Sequence, residues 1–231
     1  MPRYTQTREQ PDATSSKRIA RARKLFDAGK PVLGTLAATY LQGRGISRFG
    51  PALRYHPRIF LRQGEGDPDP PQRAPALLAK ITEHRGQITG CARACLDPST
   101  GGLAEIESPK RILGQLHGHA IRFWSGTDRS DLIVGEWLEN TLSVGTVLQD
   151  FDLASFVTVT HFGLFFPPPG IKRIRIAGDN DEAGRNASLR CVTNGNRLEL
   201  PLVISCPTWE ISTTICGYAA RMRCVGPCSR P

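Results

Sequence analysis

Apolar and polar positions along the chain alternate between helical and strand-like periods. From Ser15 or Ser16, either of which can cap a helix, Ile19, Ala22 and Phe26 share one helical face as far as Ala28, and Gly29 stops the run. The opposite face carries Lys17, Arg18, Arg21, Arg23 and Lys24, a pattern that fits a solvated face as well as a nucleic-acid contact. A second short helix fits Thr35–Gln42, with Leu36, Tyr40 and Leu41 apolar and Gly43 ending it. Across Leu53–Phe60, Arg54, His56 and Arg58 recur at every second position, the period of a strand. Gln63–Gln72 is rich in Gly, Pro and Asp and reads as a loop. Ala76–Thr82 and Ile88–Leu96 then predict a hairpin whose turn, Glu83–Gln87, contains Gly86.

The second half of the chain repeats a different unit. Asp131–Gly135, DLIVG, predicts a buried strand, followed at once by Glu136 and by a helix with Leu138, Leu142 and Val147 on its apolar face. Ser155–Thr160, SFVTVT, reads as a middle strand. Ile171, Ile174 and Ile176 predict another, which the interleaved Lys172, Arg173 and Arg175 place partly in solvent or near a sheet edge. It runs into Asp179, Asp181, Gly184 and a helix-like Arg185–Arg190, and Leu200–Ser205 can add one more strand. Two strand–acid–helix units about forty residues apart suit a βαβ arrangement with a strand between them.

The acids change the picture from architecture to chemistry. Asp179 and Asp181 are one residue apart at a strand end, where like charges repel unless a cation lies between them. Hard cations such as Mg²⁺ take carboxylate oxygens, and open α/β sheets bind ligands beyond the carboxyl ends of their strands. Asp, Asn and Gly are also turn formers, so the short motif alone admits a plain turn. Glu136 after the earlier strand adds a third acid.

GE at 135–136, DND at 179–181 and Gly184 resemble the Toprim domain shared by bacterial-type primases, topoisomerases and some nucleases. IAGDNDEAGRNA is especially similar to the Toprim proteins of phages, plasmids and integrative elements that act as primases. The resemblance implies Glu136 as the acid/base and a metal ligand, Asp179 and Asp181 as ligands of Mg²⁺ or Mn²⁺, and Glu139 as a further catalytic acid. That subfamily usually reads GEGIETALS where this chain has GEWLENTLS, so Trp137 stands in place of a Gly and Asn140 in place of a Thr. Hairpin, Pro109-Lys110-Arg111 motif and Toprim strand follow in the order of a primase catalytic core. By that resemblance Lys110 and Arg111 face nucleotide phosphates or template, with Arg54, Arg58 and Arg122 as further candidates for the same groove.

Composition fits this reading. In 231 residues, 39% hydrophobic and 22% charged positions are ordinary for a globular protein with one large or two small domains. A net charge of +9 favours a polyanionic partner. No apolar run reaches the length of a membrane span, and the N-terminus lacks a secretory pattern, so a cytoplasmic protein is expected. There is no GxxxxGK[ST] for a fused P-loop helicase, and the length leaves no room for the large domain of a topoisomerase. His117 and His119 have no Cys or carboxylate at a ligand spacing, and Cys91 and Cys95 on one strand face read as small packed hydrophobes. Five of the seven cysteines follow position 190 without Cys-x-x-Cys spacing. That tail is read as truncated or divergent sequence ahead of a zinc cluster or a disulfide-bearing extension.

The expected fold is α/β: a polar, disordered N-terminus (1–14), a basic α+β primase-core-like region (15–125), a Toprim domain with a small, Rossmann-like, mostly parallel sheet (130–206), and an irregular Cys-rich tail (207–231). The expected function is Mg²⁺-dependent nucleotidyl transfer on single-stranded DNA, in the replication of a phage or mobile element. Its partners would be single-stranded DNA, nucleoside triphosphates and a separate replicative helicase. The alternatives are a Toprim nuclease and a remnant that binds nucleic acid without catalysis.

Overall fold

The computed structural model describes residues 13–61, 72–116, 118–123, 128–157, 170–171, 173–178 and 203–205. Outside them lie Asp179, Asp181, His117, the expected helix at 185–190, most of the Gln63–Gln72 loop and the five cysteines after position 190.

Helix α1 (Ala13–Asp27) begins two residues before its expected cap and buries Ala22 and Phe26, the face its period marked. Helix α2 (Leu36–Gln42) starts after Thr35 and ends at Gly43. Four antiparallel strands follow: β1 (Leu53–Leu61), β2 (Gln72–Thr82), β3 (Ile88–Cys95) and β4 (Lys110–Gly114), in the order β1-β2-β3-β4. Both faces of this sheet are covered, which is why β2 reads as a nearly unbroken apolar run. Ala76, Leu78, Cys91 and Cys95 pack with Ala22 and Phe26 on the α1 face. Leu77, Ala79, Ile81, Ala92 and Ala94 face the other way, into a larger core shared with the second sheet. The two cysteines are fully buried free thiols, as their packing role predicts.

The second sheet contains β5 (Ile121–Phe123), β6 (Asp128–Gly135), β7 (Phe151–Ser155), β8 (Arg173–Gly178) and β9 (Val203–Ser205), in the order β5-β7-β6-β8-β9. Its β6–β7, β6–β8 and β8–β9 pairs are parallel and only β5 runs antiparallel, so a small, mostly parallel sheet forms as expected. Helix α3 (Leu138–Val147) joins β6 to β7, and its Leu138, Leu142 and Val144 enter the shared core with Ile133, Leu153 and Ala177. The sheets are tied by a bridge between Thr82 and Ala120 as well as by that core.

One expectation is corrected. The middle strand is Phe151–Ser155, which ends at the first residue of the expected Ser155–Thr160 strand. Helix α3 stops early enough for the exposed Gln149 and Asp150 to turn the chain directly into β7. Asp152 sits buried opposite Leu132, and that polar residue hides the strand from an apolar count. Strand β8 lies inside the sheet, with β6 on one side and β9 on the other, and its Arg173 is exposed, so of the two expected settings the partly solvated one holds. Its arginines are tolerated because buried Asp131 on β6 accepts from Arg173 Nε at 2.6 Å and Arg175 Nη2 at 3.1 Å.

At the carboxyl end of β6, Gly135 is required by contact: a Cβ there would lie 2.3 Å from Thr141 Oγ1 and 3.2 Å from the Ala177 carbonyl. The absence of a side chain lets α3 start close over the strand ends.

Candidate functional site

Strands β6 and β8 run side by side and end together, Gly135 opposite Ala177. Adjacent strands lie about 5 Å apart. Glu136, half-buried, is the first residue beyond β6, and Gly178, the last of β8, is the residue before Asp179 in sequence. The edge that carries Glu136 is therefore the edge from which the Asp179/Asp181 segment departs, although both aspartates lie outside the described residues. Trp137 forms the N-cap of α3 with φ −130° and ψ 156°, extended backbone that any residue adopts, so the tryptophan in place of glycine carries no backbone strain. Its carbonyl accepts from the Thr141 N–H at 3.1 Å and the Thr141 hydroxyl at 2.9 Å.

Glu139 lies in the first turn of α3 and is only 1% exposed. A carboxylate so buried needs donors. Helix α2 supplies the Tyr40 hydroxyl, which donates to Oε1. Strand β4 supplies Lys110, whose Nζ is 3.3 Å from both Oε1 and Oε2. The helix N-terminus also favours negative charge there. Burial, and then the neighbouring Glu139 carboxylate, push the Tyr40 phenol above the ordinary tyrosine range. The same Lys110 ammonium lies 4.7 Å from the centre of the Trp137 ring, within cation–π range. Lys110 is 33% exposed, so it stands between a buried carboxylate and solvent.

A single groove lined by all five candidate cations is not what this fold builds. Lys110 and Arg111 are consecutive on a strand and point to opposite sides of it. Lys110 shares the Ile112 face, toward the second sheet, while Arg111 shares the Leu113 face under α1 and sits opposite Arg93. Burial lowers the Arg93 pKa, and Arg111 adds to that shift. Arg111 Nε donates to the Ser108 carbonyl at 3.0 Å. Arg54 closes the end of α1, donating to the carbonyls of Phe26 at 3.2 Å and Asp27 at 2.9 Å, with its guanidinium over the Phe26 ring. Arg58 is exposed beside a bulge in β1. Arg122 is 5% exposed and donates to the Thr82 carbonyl, to Thr82 Oγ1 at 3.0 Å and to the Glu83 carbonyl at 3.0 Å. Burial pushes its guanidinium pKa down to about 10. It fastens the hairpin turn to β5.

Of the candidates, the structure thus brings Lys110 to Glu139 at the Glu136 end of α3. Tyr40 is the residue sequence reading missed, because it was counted only as part of an apolar helix face. The signal was a hydroxyl on an otherwise aliphatic stripe. Among the described residues no three His, Cys, Asp or Glu side chains cluster as metal ligands. Glu136 is a hard oxygen donor at the carboxyl end of β6, which suits Mg²⁺ or Mn²⁺ once further carboxylates join it.

Residues 16–123 match the family model of a domain of unknown function, DUF7146. No curated protein matches the chain. Several solved structures do. A DnaG primase catalytic domain bound to ssDNA is similar with a TM-score of 0.58 at 15% identity, covering 92% of this chain and 80% of that one. The zinc-binding and RNA polymerase domains of Aquifex aeolicus primase give 0.58 at 15%, covering 90% and 60%. The E. coli primase catalytic core gives 0.52 at 16%, covering 91% and 79%. At such identity the likeness speaks for architecture alone: the antiparallel sheet and the small, mostly parallel one together match the fold of DnaG-type primase catalytic cores.

Proposed function

We propose that the chain is a primase-type nucleotidyl transferase that joins nucleoside triphosphates on a single-stranded DNA template, with residues 130–206 as a Toprim domain. The observation that carries this reading is the placement of Lys110 against Glu139 at the strand edge where Glu136 stands and the Asp179/Asp181 segment begins. A primase fold and a net charge of +9 supply its setting.

Glu136, Asp179 and Asp181 are the residues that would hold Mg²⁺ or Mn²⁺, and a divalent ion bound there supplies charge neutralisation at the transferred phosphate. Lys110 meets the triphosphate as a point charge, held in place by Glu139 behind it. Glu136 takes the proton of the primer 3′-hydroxyl as that oxygen forms its bond to the α-phosphorus and the bond to the β-phosphate breaks, releasing pyrophosphate. The exposed Arg58 and the basic face of α1 hold the template through its phosphates. A separate replicative helicase would deliver that template.

Incubation of the chain with single-stranded DNA, ribonucleoside triphosphates and Mg²⁺ should yield short RNA. Asp179→Ala should abolish synthesis while retaining most DNA affinity, and an active Asp179→Ala protein overturns the metal assignment. DNA shortening without nucleotides would replace the polymerase by a nuclease using the same acids.

A further inference from the structure

We propose that Tyr40 is a positioning residue for nucleotide binding: by sharing the charge of Glu139, its hydroxyl keeps that carboxylate from drawing the Lys110 ammonium inward, away from a triphosphate. This rests on the assignment of the Glu136 edge as the nucleotide site. Three observations lead to it. First, the Lys110–Glu139 contact is long. An ammonium paired with a carboxylate settles at about 2.7–2.9 Å, whereas Lys110 Nζ lies 3.3 Å from each oxygen of Glu139. Second, Oε1 is shared: it also accepts from the Tyr40 hydroxyl, on a helix 99 residues earlier in sequence. Third, the lysine is the exposed member of the triad, with 33% of its side chain in solvent against 2% for Glu139.

The physical reason is a competition for one carboxylate. A buried carboxylate must be solvated by the groups around it, and the fewer its donors, the more tightly it draws any cation in reach. With the Tyr40 hydroxyl in place, part of that demand is met by a neutral donor and Lys110 is held at a distance over the Trp137 ring. Without the hydroxyl, Glu139 would pull the ammonium inward and the same positive charge would be spent on Glu139 rather than on phosphate. Tyr40 touches neither nucleotide nor metal in this scheme. It sets where the lysine rests.

The test is Tyr40→Phe, which keeps the buried ring and removes only the hydroxyl. KM for the nucleoside triphosphate should rise roughly five- to tenfold, a change of about 1 kcal/mol in phosphate binding. The kcat and the affinity for single-stranded DNA should stay within about twofold, a split that general loss of structure would not produce. Lys110→Met should raise KM by itself, and adding Tyr40→Phe in that background should change KM by less than about twofold, because the hydroxyl acts through the lysine. An unchanged KM in Tyr40→Phe, or an equal effect of the hydroxyl with and without Lys110, overturns the proposal. Calorimetric titration of the protein with ATP and Mg²⁺ separates the two readings. Tyr40-sensitive ATP binding without RNA synthesis would remove the polymerase and leave the positioning role, while the absence of ATP binding would remove the positioning role.

Discussion

The buried triad makes its own prediction about stability through Glu139→Gln. Glutamine keeps the volume, and its side-chain oxygen can still accept the Tyr40 hydroxyl. What it removes is the negative charge, leaving the Lys110 ammonium beside a neutral amide. Breaking a fully buried pair by removing one partner costs about 3–5 kcal/mol. Here the lysine is 33% exposed and can swing into water, and it retains the Trp137 ring. That lowers the expected cost to about 2 kcal/mol. For a chain of 231 residues each kcal/mol shifts Tm by roughly 2–4 °C, so a loss of about 4–8 °C is expected. Circular dichroism melts at low and high salt are the assay. The loss should persist at about 1 M NaCl, where exposed pairs are screened but a buried carboxylate is not. Glu139→Gln combined with Lys110→Met should be less destabilised than the sum of the single variants by about 1 kcal/mol, since replacing both partners leaves no unpaired charge. Additive single effects, or a Glu139→Gln protein that melts within a degree of the wild type, would refute the triad as a structural unit.

Two further outcomes follow from other parts of the fold. Burial pushes the Cys91 thiol from its ordinary 9.0 up to about 12, so the folded state holds that proton more tightly than the unfolded chain. The stability this contributes is fully present below about pH 9 and is lost as pH rises through 12; in urea denaturation from pH 8 to 11, Cys91→Ala should lose less stability with rising pH than the wild type, and parallel curves would show the thiol is not shielded. Gly135→Ala should lower stability by about 2 kcal/mol in the same assay, because the added carbon meets Thr141 Oγ1 at 2.3 Å, and Thr141→Ala in that background should restore part of it.

Legibility in the sequence tracked how local the deciding interaction was. Helix α1, the β2–β3 hairpin and β6 are written in short-range periods, and their residues lie close to where those periods put them. Strand β7 was shifted because SFVTVT is the more apolar stretch, whereas FDLAS contains an aspartate whose burial depends on its neighbours in the sheet. The arginines of β8 read as partial exposure or an edge, and an interior position was not legible because Asp131, which pairs with them, is 42 positions before Arg173 and 44 before Arg175. No window on either segment contains that pairing.

The same distance rule decides the site. Sequence supplied the residue types, Glu136, Glu139 and Lys110, and could not say which acid is buried or which of two adjacent cations meets it. Strand alternation on β4 settles the second question: it turns Lys110 to the second sheet and Arg111 to α1, so the two cannot serve one phosphate cluster together. Burial settles the first. Glu139, with both oxygens engaged by Lys110 and Oε1 also by Tyr40, is occupied in holding three elements together, which leaves Glu136 as the acid of α3's approach that stands at the strand edge. The anchor and the acid that the proposed reaction uses, three residues apart where β6 passes into α3, make different demands of their surroundings: the anchor needs donors from distant elements, and the other needs access to the end of β6 and β8.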